Sequence, residues 1–231
     1  MAKCELQVAL EEAKAKGSLL EISEEFLINL VHSALSFDDN DLQKEEVEKV
    51  LNGQYVGVNS EKVQRITNQK NAFLRIVAMA KEGIALTEDE LKDLHQTLME
   101  GFNIPGGLYR NVDISVKGSN HTPPSYIKVY DRMEKYINYI AEGPKDDVFE
   151  YIAYCHLQLA KIHPFLDGNG RLARLVLNYE LMSNGFAPVI ITADERDKYH
   201  TALEKFKVEK EIAPFIEYLK ELELKSINIY Y

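Results

Sequence analysis

The chain is poor in the features that mark several protein classes. Only two of its 231 residues are cysteines, Cys4 and Cys155, far apart and in helical contexts. That excludes a disulfide-dense miniprotein and predicts two reduced thiols in a cytosolic protein. No apolar run approaches the ~18 residues of a membrane-spanning helix, and the opening MAKCELQVALEEAKAKG is too charged for a secretory signal. A cytoplasmic setting with no membrane partner is therefore expected. Cations are outnumbered, 27 Lys and Arg against 37 Asp and Glu, for a net charge of −10. Nucleic-acid binding relies on clustered cations that replace phosphate counterions, so this balance argues against a nucleic-acid partner. It leaves room for a small phosphorylated ligand, because a pocket can be basic on an acidic protein. Internal repeats, low-complexity stretches and long linkers are also missing, while 45% hydrophobic residues suffice for one sizeable core.

Most of what is there reads as helix. Ser23 is placed to cap a helix over Glu24–Val31. A second helix is expected from Gln43 to Leu51, stopped by Asn52-Gly53, and a third from Asn68 to Lys81, ended at Gly83. Thr87-Glu88-Asp89-Glu90 opens a helix running through Met99. Further helices are predicted over Ser125–Glu142, Asp146–Ile162, Gly170–Asn184 and Ala193–Lys207, with a last one from Pro214. Between them, Ile104–Pro124 is broken by Pro105-Gly106-Gly107, Gly118-Ser119-Asn120 and Pro123-Pro124, and Val112, Ile114 and Val116 alternate with polar residues. The expectation is an all-α core with one inserted β-hairpin, turning near Gly118.

The informative segment is His163-Pro164-Phe165-Leu166-Asp167-Gly168-Asn169-Gly170-Arg171-Leu172-Ala173-Arg174. One apolar helix must stop at Pro164 and another must start near Gly170. A helix that opens out of Gly-Asn-Gly presents free backbone N–H groups to an anion, and the glycines allow close approach. Arg171 and Arg174 project from one side of its first turns, where two cations oppose the helix dipole unless an anion joins them. Asp167 is a hard oxygen ligand of the kind Mg²⁺ on a polyphosphate uses, and His163 can take a proton near neutral pH. Together they predict a Mg-nucleotide site with an adjacent general base. The other histidines, among them His32, His95 and His200, have no such constellation around them, and ordinary surface or partly buried positions are expected.

This segment resembles the complete signature of Fic-domain proteins, HxFx(D/E)GN(G/K)RxxR. The resemblance extends to Gly107-Leu108-Tyr109-Arg110 with the hairpin and His121-Thr122-Pro123-Pro124, to Leu181–Pro188, and to Glu195-Arg196-Asp197-Lys198-Tyr199 with Pro214-Phe215. It implies a Fic-type helical bundle whose hairpin is a flap, with an N-terminal helical segment over residues 1–60 and the core with its C-terminal helices over 61–231. It also implies a protein adenylyltransferase that moves AMP from ATP to a Ser, Thr or Tyr hydroxyl, of another protein or of itself, and releases pyrophosphate. On that analogy His163 is the base and Asp167 holds Mg²⁺. Asn169 and the amides of Gly168 and Gly170 form the anion hole, while Arg171 and Arg174 bind outer phosphates. Gly170 stands where a kinase-like branch has Lys, which favours AMP transfer. Asp113, Ile114, Ser115 and Val116 would dock an extended target segment by β-augmentation, or Ile114 and Val116 would pack on the core.

Many relatives carry an inhibitory (S/T)xxxE(G/N) helix whose Glu pairs with the signature's second arginine. The corresponding stretch here places Asp38 at the Glu position, Asp39 at Gly and Ala34 at Ser/Thr. Asp38 is one methylene shorter, and whether it still inhibits through Arg174 is left open. So are removal of AMP, a closed nucleotide-binding partner without turnover, and a homo-oligomer.

Overall fold

Capping chemistry sets where the helices begin. The computed structural model describes residues 2–37, 41–116 and 118–231, with the side chains of residues 2–4 outside the description. Among the described residues ten α-helices follow one another: α1 (Ala2–Lys16), α2 (Glu24–Ser36), α3 (Lys44–Leu51), α4 (Ser60–Glu82), α5 (Glu88–Met99), α6 (Val129–Glu142), α7 (Val148–Ile162), α8 (Asn169–Ser183), α9 (Arg196–Glu204) and α10 (Ala213–Tyr230). The Ser23 hydroxyl accepts from the Phe26 N–H (3.1 Å) to open α2, and Thr87 does the same for α5 from the Glu90 N–H (3.2 Å). Asn59 caps α4 through the Glu61 N–H, eight residues before its apolar stripe becomes dense, so that helix is longer than expected. Gly83, at φ 67°, closes it.

The core is wrapped around α8. Twelve of its fifteen residues are buried, which makes it apolar on nearly every side. It lies along α7 and is covered by α4, α5 and α2. Leu172, Val176 and Leu181 are fully enclosed, and burial of each aliphatic side chain contributes roughly 2 kcal/mol. Two buried acids sit in this frame. Glu180 of α8 lies near Tyr151 and Cys155 of α7, and burial pushes its carboxyl up to about 7. Glu223 of α10 accepts from the Ala187 N–H (2.7 Å), and burial lifts it to about 8. The Cys155 thiol is free, completely buried, and pushed well above its ordinary range for the same reason. At the periphery α1 packs on α10 through Leu6, Ala13, Leu19 and Ile227.

The segment from Val112 to Pro124 departs from expectation. It has the turn, with the Ser119 N–H donating to the Val116 carbonyl at 3.1 Å, but no strand is present among the described residues. An isolated two-stranded ribbon is marginal in water without a third strand or a helix to lie on. The alternation persists in burial alone: Ile114 and Val116 are half-buried, Asp113 and Ser115 exposed.

Candidate active site

α7 ends and α8 begins within seven residues, and that junction brings the sequence-predicted site residues together. His163 terminates α7 in the left-handed region, at φ 52° and ψ 61°, with its own N–H bonded to the Leu159 carbonyl (3.0 Å). A non-glycine residue in that conformation is strained, and such strain collects at functional positions. Its Nδ1–H donates to the Ala160 carbonyl (3.3 Å), which leaves Nε2 as the acceptor. Burial, helped by Lys207 and Arg110, lowers its pKa to about 4, so the ring is neutral at pH 7.

The next residues are held by a short network. Asn169 is buried and its side-chain amide grips Phe165 twice, accepting from its N–H and donating to its carbonyl, both at 2.9 Å. The side chain expected in an anion hole is therefore committed to shaping the loop. Gly168, at φ 72°, starts α8; a Cβ there would lie 3.0 Å from Met99 Sδ and 3.2 Å from His95 Nε2. As at any helix N-terminus, the first amides have no intrahelical acceptor and point at the space before the helix. Arg171 is buried, its Nη2 3.6 Å from Met99 Sδ and 3.9 Å from Asp167 Oδ2. Asp167 itself is exposed, with 58% of its side chain open to solvent. No cluster of three or more His, Cys, Asp or Glu suited to a metal occurs among the described residues. A single open carboxylate nevertheless fits Mg²⁺, which binds through one or two carboxylates, water and substrate phosphates.

Arg174 points elsewhere. Its Nη2 donates to the Ala34 carbonyl (2.9 Å) in the last turn of α2, and its guanidinium lies 4.6 Å over the Phe37 ring. Arg196 covers the same ring at 5.3 Å and donates to the Phe37 carbonyl. Arg174 Nε and Gln69 Oε1 are buried without partners, and both residues line one crevice under α2. Asp38 and Asp39 lie outside the described residues.

Two residues that sequence reasoning passed over hold this site in place. Arg110 is buried and bonds three carbonyls: His163 through Nε (2.9 Å), Val112 through Nη1 (3.0 Å), and Pro124 through Nη2. Its backbone N–H adds a bond to the Pro164 carbonyl (2.9 Å). His95 corrects an expectation: it is fully buried, not peripheral. It accepts from the Gly107 N–H at Nδ1 (2.9 Å), donates from Nε2 to the Asp167 carbonyl (2.9 Å), and stacks on Phe165 at 3.7 Å. Its signal was its spacing on the apolar face of α5, with Leu91, Leu94 and Leu98.

The flap residues meet this frame at its edge. Asp113 accepts from the Tyr126 N–H (2.7 Å) and lies 3.8 Å from Arg110, so it braces the turn before α6. Glu204 accepts from Ser119 Oγ (2.5 Å) and the Asn120 N–H (2.8 Å), tying the far end of the segment to α9.

Comparison with known proteins shows what this arrangement is similar to. Residues 85–181 match the model of the Fic/DOC family. Over that stretch the chain is similar to Fic/DOC-family domains. A protein adenylyltransferase Fic from Drosophila yakuba is 27% identical over 223 residues, covering 94% of this chain and 44% of the relative. The chain thus spans less than half the length of the curated relatives it matches. Among solved structures, a Fic domain-containing signaling protein from Bacteroides thetaiotaomicron superposes with a TM-score of 0.85 at 21% identity, over 97% of this chain and 94% of that one. IbpAFic2 in complex with adenylylated Cdc42 superposes at 0.57 with 18% identity, over 97% and 70%. These likenesses establish the Fic fold for the helical body.

Proposed function

We propose that this Fic domain transfers AMP from ATP to a hydroxyl side chain of a protein, with release of pyrophosphate. The observation that carries the reading is His163: a neutral imidazole, fixed by its Nδ1–H bond so that Nε2 is the acceptor, on the loop that leads into α8. Its Nε2 takes the proton of the acceptor hydroxyl, whose oxygen forms the new bond to the α-phosphorus as the bond to the β-phosphate bridge breaks. The amides of Gly168 and Gly170 hold phosphate oxygens while Arg171 neutralises charge, the division of labour that phosphoryl-type transfer needs. Asn169 acts by fixing the loop. Asp167 would hold Mg²⁺, which supplies charge neutralisation on the phosphates when bound. The named relatives and the adenylylated Cdc42 complex support this choice of chemistry.

In this reading residues 1–60 are a regulatory segment and residues 61–231 the catalytic unit. The end of α2 holds Arg174 away from an outer phosphate through the Ala34 carbonyl and the Phe37 ring, with Asp38 next in the chain. The target lies extended along Asp113, Ile114, Ser115 and Val116, which pair as a strand once a third strand is present. The setting that fits is one rich in ATP and Mg²⁺, as the cytoplasm is.

Intact-protein mass spectrometry after incubation with ATP and Mg²⁺ tests the reading, on the native chain, Asp38→Gly and His163→Ala. A gain of whole AMP groups that vanishes in His163→Ala is expected. A gain of bare phosphate would replace the reading with a kinase. Absence of any gain in Asp38→Gly, with added protein acceptors present, would overturn it.

A further inference from the structure

On a chain with ten more acidic than basic residues, cations are set close together at a second place besides the arginine pair over Phe37. Lys161, in the last turn of α7, and Lys210 bring their side-chain nitrogens within hydrogen-bonding reach of each other, with Arg132 of α6 close enough to add to the repulsion. Lys210 Nζ also donates to the Lys207 carbonyl (3.3 Å), and Lys161 lies 5.3 Å over the Phe206 ring. Lysine near a helix C-terminus is favourable one at a time, through the dipole; two ammonium groups in contact are not. Neither Lys161 nor Lys210 has a carboxylate partner among the described residues. Of the nearby acids, Glu209 pairs with Lys205 (2.7 Å), Asp131 with Lys135 (2.9 Å) and Glu204 with Ser119 and Asn120, while Glu211, next to Lys210, makes no ion pair with either lysine among the described residues.

The backbone beside this contact departs from regular geometry. After α9 the chain takes a π-helical turn over Lys205–Glu209, and Lys210 follows at φ 67°. Among the described residues only His163 shares that left-handed conformation without being glycine. π-turns and non-glycine left-handed residues carry strain and cluster at functional positions. The position is also relevant: Lys161 is two residues before His163, and His121, at the base of the flap, reaches the Lys161 carbonyl with Nε2 (3.3 Å).

We propose that Lys161 and Lys210, with Arg132 and His121 beside them, dock an acidic segment of the protein that receives AMP. The proposal rests on the adenylyltransferase reading for the identity of the partner, and on the lysine contact for its charge. A carboxylate side chain seated between the two lysines relieves their repulsion. It would place its own strand beside the flap, with the neighbouring hydroxyl within reach of His163. The acidic surface elsewhere repels such a segment, which restricts docking to this point.

The test uses a fluorescein-labelled dodecapeptide of Glu residues with one central Thr, and the same peptide with Gln for Glu, measured by fluorescence anisotropy at low salt. The native chain should bind the Glu peptide at least tenfold more tightly. Lys161→Gln and Lys210→Gly should each remove most of that preference. Lys210→Gly suits the left-handed backbone, so its melting temperature should not fall and a folding defect is separated from loss of charge. ATP affinity should be unchanged in both variants. Equal affinity for the two peptides would overturn the proposal, and so would ATP affinity that falls in step with peptide affinity, since the lysines would then be an arm of the nucleotide site. Peptide binding through the lysines without AMP transfer to any acceptor would instead sink the adenylyltransferase reading and leave the docking surface standing.

Discussion

Two loops meet at Arg110 and are built on opposite terms. The loop from His163 to Arg171 is fixed along its length: Asn169 closes it on Phe165, His95 props it from beneath, and Arg110 ties its first carbonyl. Among its described residues, the segment from Val112 to Asn120 is tied near its ends by Arg110 and Asp113 on one side and Glu204 on the other, with one turn bond between Ser119 and Val116. On the proposed function, groups that would meet a nucleotide of constant shape are pre-positioned, while the segment that would meet a variable protein target is held more loosely.

His163→Ala should break the rigid side most severely, lowering AMP transfer by at least ~10²–10⁴-fold with ATP affinity retained by calorimetry. Full activity in that variant would end the assignment of the base. Arg110→Met should cost about 3 kcal/mol or more in urea unfolding, because it strands three carbonyls that one guanidinium now satisfies. A loss below about 1 kcal/mol would mean the two loops are not joined there.

Protonation sharpens the contrast, since the buried histidines lie on the rigid side and in the core. His95, His156 and His163 are each lowered by burial from 6.5 to about 4, while Glu180 and Glu223 are raised from 4.5 to about 7 and about 8. Between pH 4.5 and 6.5 the unfolded chain binds three more protons on these histidines and the folded chain two more on the acids. The net from these five groups is one, so they make stability fall by about 1 kcal/mol per pH unit as pH drops, and His121 and His200, also lowered by burial, steepen the fall. Below 4.5 the acids no longer offset the histidines and the fall steepens. Between 6.5 and 8 the acids dominate, and stability is lost as they ionise. Urea midpoints against pH should therefore peak near 6.5, and Glu180→Gln should flatten the alkaline side; an unchanged alkaline limb in that variant would remove Glu180 from the account.

His95→Phe keeps a ring against Phe165 but loses both hydrogen bonds, and should lower kcat about tenfold with KM for ATP nearly constant. An equal change in both would make His95 a packing residue only. The smallest effect belongs to the open side. Glu204→Gln should leave global stability within about 1 kcal/mol yet raise amide hydrogen exchange at Asn120, which its carboxylate now engages.

The junction's backbone was legible because it lies in consecutive residues: His163 through Arg174 could be read as helix stop, loop and helix start. Helix caps at Ser23, Thr87 and Gly83 were legible for the same local reason. What escaped was set by contacts distant in the chain. His95 reaches residue 167, Arg110 reaches residue 163, and Arg174 reaches residue 34, and no periodicity marks such pairs. The flap illustrates the reverse error. Its alternation is real, but strand pairing needs a neighbour that the chain alone does not provide.

The enclosure of Cys155 has a consequence for time as well as for packing. A thiol buried at the α7–α8 contact and held protonated cannot react with an alkylating reagent until those helices part. In a Cys4→Ser background, the labelling rate of Cys155 would count openings of the helix pair that carries His163, and a slower count with nucleotide bound would register how far the ligand prolongs the closed interval.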